Sequence, residues 1–401
     1  MNTPLAQAKI QIEKAIITFE NVIKIALKKG YGVACYRLPH QDRFKLMIDT
    51  REETHTCGEA IENLPSGFIF NPFENKNAKA AYYLQAHLEM VLGDDEVKAN
   101  QAEYYPLRDE INQQLSTDNL PSDWQYHQLV GNEQSTMGNR EDFIQLVEKG
   151  IQQIQDGKME KFVPSKCKKM ALEHFQLMDT LWKLSCKYPN AFVSFVSMSE
   201  TGSWLGATPE ILIHMDREKI FHTVALAGTQ AYEENMDLKD VAWKQKEIEE
   251  QALVSRYIIG ILKKLRIREF IENGPKTARA GNLIHLKTTF EIDTKAINFP
   301  DLGGVMIDLL HPTSAVCGMP LKESEQFLLV EEKHDRAFFS GYLGPINTDG
   351  ESYAFVNLRC MQLLKNEAIF YAGAGATIDS NPEKEWQETE MKCNTLLSVL
   401  K

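Results

Sequence analysis

The sequence predicts a single large domain of the α+β class. Helical and strand patterns alternate irregularly along the 401 residues, and no repeat of about 20–50 residues occurs, which excludes solenoids and propellers. No Pro-, Gly- or Ser-rich linker interrupts the second half of the chain. We therefore expect one domain over residues 1–401, with a variable N-terminal part at 1–135 and a motif-bearing part at 136–401.

The first part of the chain opens with a helix at 5–29, where apolar residues such as Phe19, Val22, Ile23 and Ala26 recur near the helical period. Gly30 follows in the position of a C-terminal cap, and residues 31–38 form a strand pattern. Residues 50–130 are polar and mixed, and they predict only a surface-rich region with a few helices and strands.

The second part shows clearer elements. An amphipathic helix at 140–157 ends at Gly157, a long helix is predicted at 238–265, and a final helix at 382–400. The predicted strands are 161–166, 190–198, 203–215, 282–292, 352–364 and 367–376.

Composition and charge restrict the possible functions. Hydrophobic residues make up 43% and charged residues 25%, as in ordinary globular proteins, and the net charge is −12. Such a chain is not built for counterion-driven binding to nucleic acid. A small anionic substrate would need a site that is locally positive against the overall negative field.

The cysteines and the N-terminus bear on the compartment. No two of the seven cysteines lie within four residues, so neither a zinc ribbon nor a disulfide framework is predicted. The N-terminal residues include Gln, Lys and Glu where a signal peptide needs apolar residues, and no apolar run is long enough to span a membrane. We expect a reduced, cytoplasmic protein, a monomer, without membrane or nucleic-acid partners.

Two predicted helices each carry a pair of carboxylates three residues apart. Glu247 and Glu250 lie on the long helix, and Glu385 and Glu388 on the last one. This spacing places both members of a pair on one helix face. Two such faces brought together would suit Mg²⁺, which prefers oxygen ligands. Taken alone, each pair is better explained by a solvated helix surface.

The chain before the last helix carries a glycine turn. Asn381 is placed to cap the helix and Pro382 to occupy its first position. The backbone amides of the turn and of the helix start would face an anion. The turn lacks the third glycine of a dinucleotide-binding loop, and no βαβ unit follows it, so we exclude a Rossmann site.

Several other residues stand out. The segment 311–320 contains two prolines, a glycine and a histidine, which predicts a loop at a structural corner or a site wall. Arg359 lies among apolar residues of a predicted strand, where an arginine usually has an anionic partner. Glu210 and Lys161 would on their own be ordinary surface residues.

Taken together, these segments resemble the chorismate-utilising enzymes, which include isochorismate synthase, salicylate synthase, anthranilate synthase component I and aminodeoxychorismate synthase. The resemblance covers residues 160–392 and rests on nine motifs in family order: KFVPSK, GATPEILI, LAGT, KEIEEQALV, HLKT, HPTSAVCGMP, EKHDRAFFSGYLG, FVNLRC and AGAGATIDSNPEKEWQETEMK. It implies the fold of anthranilate synthase component I, a chorismate-binding domain with antiparallel sheets packed together and flanked by helices.

The resemblance also implies a site. Glu250 and Glu388 would bind Mg²⁺, with Glu247 and Glu385 acting through water, and the metal would hold the ring carboxylate of chorismate. Arg359 and the Gly373 amide would take the enolpyruvyl carboxylate. The other residues implied at the substrate are Gly228, Thr229, His285, Ala315, Phe339 and Lys392.

Within the family the sequence is most similar to isochorismate synthase, which adds water at C2 of chorismate and expels the C4 hydroxyl. Lys161 matches the lysine that activates water, and a lysine acts as a base only when partly neutral. Glu210 would protonate the departing hydroxyl and needs a raised pKa. Ala227 stands where aminodeoxychorismate synthase has a nucleophilic lysine, and no glutaminase partner is expected.

Alternatives remain. Salicylate synthases resemble each other in a Thr and a Tyr at the positions of Ala315 and Phe339, and an anthranilate synthase-type lyase or an inactive chorismate-binding homologue is also possible. The product would feed menaquinone or siderophore biosynthesis. The sequence departs from the family pattern at Ser314, where proline is usual, and at Glu247, Gln251 and Lys166.

Overall fold

Two nine-stranded antiparallel sheets form the centre of the molecule. The structure is a computed structural model, which describes residues 4–51, 55–117, 121, 123–128, 138–232, 236–280 and 283–400. The helices are α1 Pro4–Lys28, α2 Tyr105–Ser116, α3 Arg140–Gln155, α4 Leu177–Lys187, α5 Gln245–Lys264, α6 Leu302–Leu310, α7 Leu321–Glu331 and α8 Pro382–Leu397.

The strands come from the whole chain. They are β1 Gly32–Arg37, β2 Lys45–Asp49, β3 His55–Thr56, β4 Gly67–Asn71, β5 Tyr82–Gln85, β6 Leu88–Val91, β7 Lys98–Ala99, β8 Lys161–Phe162, β9 Ser165–Ala171, β10 Phe192–Met198, β11 Gly202–Thr208, β12 Ile211–Met215, β13 Ile220–Ala231, β14 Ile271–Ala280, β15 Leu283–Asp293, β16 Gly318–Met319, β17 Tyr342–Ile346, β18 Ser352–Val356, β19 Cys360–Leu363 and β20 Glu367–Gly373.

Each sheet mixes early and late strands. The first sheet has the order β7-β6-β2-β1-β10-β11-β19-β20-β9, and the second has the order β14-β15-β13-β12-β18-β17-β4-β5-β3. A separate pair, β8 and β16, lies beside them. Strands from residues 1–135 therefore hydrogen-bond within both sheets, and the variable N-terminal part is built into the same sandwich as the motif-bearing part.

Four layers bury the apolar side chains. Aromatic residues of both sheets, including Phe68, Phe192 and Phe355, pack in the interior between them. Helices α1, α2, α4 and α8 cover the outer face of the first sheet, and α5 and α6 cover the second. The predicted α+β class, with packed antiparallel sheets and flanking helices, is confirmed.

The first helix shows how the sequence pattern produces this layering. Phe19, Val22, Ile23 and Ala26 are almost fully buried, whereas Ile12 and Ile17 on the same helix are exposed. The helical period thus places one apolar stripe against the sheet. Gly30 follows with a φ of +77°, a conformation that glycine adopts without steric penalty, so the chain turns there into β1.

Three segments predicted as single strands are each two strands. Residues 161–166 divide into β8 and β9, residues 203–215 into β11 and β12, and residues 352–364 into β18 and β19. In the last two segments the chain crosses from one sheet to the other. Arg359 is consequently not inside a strand as predicted but in the connection, with a φ of +49°.

The long helix is also shorter than predicted. It begins at Gln245 rather than at residue 238, so Val241 lies outside it. The reason is local: the Glu247 carboxylate accepts a hydrogen bond from the Lys244 amide at 2.6 Å, which closes a capping box at this point. Asn139 and Asn381 are the N-cap residues of α3 and α8, and the side chain of each caps its helix. The predicted cap of the last helix is confirmed.

Two smaller findings complete the fold. All seven cysteines are free thiols, and only Cys186 is exposed. Among the described residues, no helix combines the length and the apolar character that crossing a membrane requires.

Candidate active site

Two chain crossings between the sheets hold Glu210 and Arg359 next to each other. The amide of Val356 donates to the Glu210 carbonyl at 2.9 Å, and the amide of Ala207 donates to the Arg359 carbonyl at 3.1 Å. The Thr208 hydroxyl donates to the Val356 carbonyl at 2.7 Å. The connection after β11 and the connection after β18 are thus hydrogen-bonded to one another, and the side chains of Glu210 and Arg359 project from neighbouring backbone segments.

Lys161 reaches the same region from the two-stranded sheet. Its residue is 6% exposed, and its Nζ lies 2.7 Å from Oε1 of Glu250 on α5. Gly375 permits this approach, since a Cβ built at that glycine would lie 3.2 Å from the lysine Cε. The lysine is therefore buried and paired, not the ordinary exposed side chain that its local sequence suggests.

The Glu210 carboxyl is the group with the most altered acidity in this region. Burial raises its pKa to about 7, while Lys161, Lys392, the Thr313 hydroxyl and Arg359 act in the opposite direction. The Thr313 Oγ1 atom lies 3.5 Å from Oε1. Desolvation outweighs these positive neighbours because the carboxyl is largely surrounded by protein. A carboxyl with this raised pKa still holds a proton in part near neutral pH, which the predicted role of Glu210 as proton donor requires.

The four carboxylates of the two helices have different surroundings. Glu247 is held by the capping box of α5 and also accepts from Gln230 Nε2 at 3.3 Å. Glu250 contacts Lys161, and Glu388 contacts Lys392 Nζ at 2.7 Å. Glu385 lies on the buried face of α8. Glu250 and Glu388, the two predicted direct ligands, are thus each neutralised by a lysine.

Lys392 and Arg359 give the pocket its positive charge. The Lys392 ammonium donates to the Gly373 carbonyl at 2.7 Å, so it lies where β20 ends. Arg359 donates to Thr395 Oγ1 at 3.2 Å, and Glu388 on the same helix acts on it electrostatically. Arg359 and Gly373, the two residues predicted to bind the enolpyruvyl carboxylate, therefore lie beside α8 together with Lys392.

A bulge in β13 closes the opposite side. Gly228 has a φ of +62°, and a Cβ built there would lie 3.1 Å from the Cβ of Glu247, so only glycine lets α5 approach this closely. The register shifts at this point, and Thr229 pairs with His285. Burial lowers the pKa of His285 to about 4, so its ring is neutral. The side chain of Thr229 lies outside the described residues.

The two predicted wall residues lie in different places. Ala315 lines a small cavity together with Glu210 and Thr313. Phe339 is 3% exposed and stacks on Tyr371 in the interior between the sheets, with ring centroids 5.7 Å apart. Among the described residues, Phe339 is therefore not one of those that the contacts given above bring together at the site.

An ion-pair network that the sequence analysis did not assign supports the pocket. Arg336 donates to the carbonyls of Val163 and Val316 at 2.6 and 2.9 Å, and its guanidinium pairs with the buried Glu332. Glu332 in turn accepts from the Ser165 amide at 2.7 Å. This network joins the β8–β9 connection to the loop of Ser314 and Ala315. The segment from Glu332 to Arg336 follows the end of α7 and is not helical, so the signal available in the sequence was only the motif EKHDRAFFSGYLG, which contains both residues.

The donor chemistry on α5 and α8 fits a hard divalent cation, because carboxylate oxygens are the ligands that Mg²⁺ prefers. Among the residues that the structure describes, no group of three or more His, Cys, Asp or Glu side chains is drawn together as a metal cluster. Glu250 and Glu388 are partly accessible, with 31% and 43% of their side chains exposed. A cation would therefore replace the ammonium groups of Lys161 and Lys392 at these carboxylates.

Comparison with known proteins places this geometry in context. Residues 55–401 match the family model described as "Chorismate binding enzyme". The isochorismate synthase EntC of Escherichia coli K12 is 31% identical over 224 residues, which are 55% of this chain and 56% of that protein. The match thus spans about half the length of this curated relative.

Solved structures show the same fold at low sequence identity. The menaquinone-specific isochorismate synthase MenF of Escherichia coli superposes with a TM-score of 0.73 and 20% identity, covering 95% of this chain and 91% of that chain. Anthranilate synthase component I of Streptococcus pneumoniae gives a TM-score of 0.66 and 18% identity, with coverages of 84% and 81%. The architecture is therefore common to proteins with different reactions, and the site must distinguish between them.

Proposed function

The chain belongs to the family of chorismate binding enzymes, and on that basis we propose that it converts chorismate to isochorismate in an Mg²⁺-dependent isomerisation. The observation that carries the proposal is a buried lysine close enough to act electrostatically on a glutamic acid with a raised pKa. Lys161 acts electrostatically on Glu210, whose pKa stands at about 7. Addition of water at one ring carbon and loss of hydroxide at another require one base and one acid.

The reaction assigns one task to each group. Lys161 takes a proton from the water that attacks C2, and Glu210 gives a proton to the hydroxyl that leaves C4 as water. The ring double bond shifts as the new C–O bond forms and the old one breaks. Arg359, Lys392 and the Gly373 amide hold the enolpyruvyl carboxylate, so the anionic substrate meets local positive charge in an acidic protein.

Mg²⁺ would be held by Glu250 and Glu388, with Glu247 and Glu385 behind them through water. When bound, the ion supplies a positive charge for the ring carboxylate of chorismate. Glu247 is already engaged by the α5 cap, which suits a supporting role rather than direct ligation. The product would supply menaquinone or siderophore biosynthesis.

The direct test is to incubate the purified protein with chorismate and Mg²⁺, without ammonia, and to separate the products by chromatography. We expect isochorismate and remaining chorismate to approach a mixture, because one hydroxyl merely replaces another. Salicylate accompanied by pyruvate would establish the lyase alternative. An unchanged chorismate peak would leave only a binding function.

Turnover at saturating chorismate is expected to fall as the pH rises above about 7. Glu210 donates a proton only in its neutral form, and a carboxyl with this raised pKa is neutral below that pH and ionised above it. A pH profile of kcat measures the effect, with Glu210→Gln as the variant that should be nearly inactive at every pH. A profile that stays level well into the alkaline range would remove Glu210 as the acid.

Pyruvate formation should be minor in the wild type and larger in the double variant Phe339→Tyr, Ala315→Thr. Elimination of pyruvate requires the enolpyruvyl arm to be gripped in a geometry for intramolecular hydrogen transfer, and a Tyr or Thr hydroxyl could hold it so. Phe339 and Ala315 offer no such hydrogen bond. We expect a modest gain because Phe339 is packed against Tyr371.

A lactate dehydrogenase-coupled assay measures the pyruvate directly. Phe338→Tyr is the matched control. Phe338 is buried in the same aromatic interior, and its replacement by tyrosine adds a hydroxyl next to the tested position. If the wild type already releases pyruvate in step with chorismate loss, the isomerase proposal is wrong.

A further inference from the structure

A buried serine lines a small cavity beside the proposed acid. Ser314 is 2% exposed, and among the described residues its Oγ has no hydrogen-bond partner. It lines a cavity of about 30 Å³ whose wall also includes Glu210 and Thr313. An unpaired buried hydroxyl is destabilising in a protein interior, so the position of this one requires a reason.

The cavity has the size and polarity of a water site. A volume of about 10–15 Å³ on this measure is enough for one water molecule, provided that polar groups are present to bind it. Glu210, Thr313 and Ser314 supply such groups, and the apolar lining includes Val254 and Leu310. The Thr223 hydroxyl, also in the lining, is already used in a hydrogen bond to a backbone carbonyl, and the Thr313 hydroxyl lies 3.5 Å from the Glu210 carboxyl. The Ser314 hydroxyl therefore remains without a partner among the described residues.

We propose that this cavity receives the water molecule that forms when Glu210 protonates the departing C4 hydroxyl, and that Ser314 positions it. This inference rests on the proposed isomerisation. The C4–O bond breaks, the Glu210 proton joins the leaving oxygen, and one water is released on this side. A second water, deprotonated by Lys161, forms the C2–O bond. One water enters and one leaves, so atoms and charge balance.

The leaving water needs such a place because the acid is enclosed. Glu210 has protein around its carboxyl, and Lys161, Lys392 and Arg359 are the charged groups that act on it. A water that stays against the ring would compete for C4 and reverse the reaction. The Ser314 hydroxyl and the Glu210 carboxyl together offer the released water a hydrogen-bond donor and an acceptor close to C4, where the water forms.

The first experiment is a crystal structure of the full-length wild type at a resolution that shows ordered water. We expect a water within hydrogen-bond distance of Ser314 Oγ and the Glu210 carboxyl. A dry cavity would overturn the proposal. This observation does not depend on turnover, so it is distinguishable from a failure of the proposed function, which the chromatographic product assay detects in the wild type alone.

Two variants then test the role in catalysis. Ser314→Ala removes the hydroxyl, and Val254→Ile keeps it but places one more methylene against the cavity. Each is expected to lower kcat about three- to tenfold, the loss that corresponds to about one hydrogen bond, with little change in KM for chorismate. Ser352→Ala is the matched control, because Ser352 is a buried serine in β18 that bonds Asn347 instead.

The Tm of Val254→Ile separates function from packing. If the cavity is only a packing defect, the variant should gain stability and keep the wild-type kcat. That result would contradict the proposal even if Ser314→Ala were impaired. A lowered kcat with an unchanged or raised Tm supports it, because a filled cavity then harms the reaction and not the fold.

Discussion

Lys161→Ala is expected to lower turnover about 10²- to 10⁴-fold, which is the usual loss when a general base is removed. Chorismate binding in the presence of Mg²⁺ should remain largely intact, because Arg359 and Lys392 are untouched. The lysine is buried against Glu250, so the variant also removes one ion pair of that carboxylate. Steady-state kinetics and calorimetric titration with chorismate measure the two effects separately.

The matched control for this variant is Lys168→Ala. Lys168 follows seven residues later, is 42% exposed at its side chain and pairs with Glu390 at 3.5 Å, so its loss should leave turnover unchanged. A Lys161→Ala protein that retains more than about a third of the wild-type rate would exclude Lys161 as the base.

Glu250→Gln and Glu388→Gln should each raise the Mg²⁺ concentration that gives half-maximal activity, and the double variant should be inactive at any Mg²⁺ concentration. Each change replaces a charged oxygen ligand with a neutral amide. Calorimetry with Mg²⁺ alone provides a measurement that does not depend on turnover.

Glu249→Gln separates the site from the general charge of α5. Glu249 lies one residue from Glu250 but faces solvent, where it accepts from Gln245 Nε2 at 2.8 Å. Its variant should bind Mg²⁺ as the wild type does. If both Glu250→Gln and Glu388→Gln keep wild-type affinity for the ion, the metal site lies elsewhere.

The sequence predicts the four longest helices, α1, α3, α5 and α8, but it does not identify α4, α6 and α7, and it misplaces several strand boundaries. The stripe of Phe19, Val22 and Ile23 identifies α1 because only one helix face is buried. Residues 203–215 lack such a contrast, since β11 is buried along its whole length and β12 is mostly buried. The apolar pattern therefore continues while the chain passes between sheets, and only Pro209 signals the break.

The same reasoning applies to the candidate site. The spacing within each helix predicts that the two carboxylates of α5 share one face, and likewise those of α8. Only the resemblance to the family assigned the two pairs to one metal site. The contact of Lys161 with Glu250 joins residues 89 positions apart, and the network of Arg336 joins the chain at Val163 and Val316. Contacts between distant segments depend on the packing of the sheets, which the local pattern of residues does not specify.

The paired chain crossings also determine how the pocket is held together. Glu210 and Arg359 start from connections that are hydrogen-bonded to each other, so the backbone separation of these two residues is set by one local group of contacts. Lys161 lies on β8, which pairs with β16 outside both large sheets and is bridged to Ala376. The position of Lys161 relative to Glu210 therefore depends on a second group of contacts, which includes the hydrogen bonds of Arg336 to backbone carbonyls. A substitution that loosens this second group would displace Lys161 without separating Glu210 from Arg359.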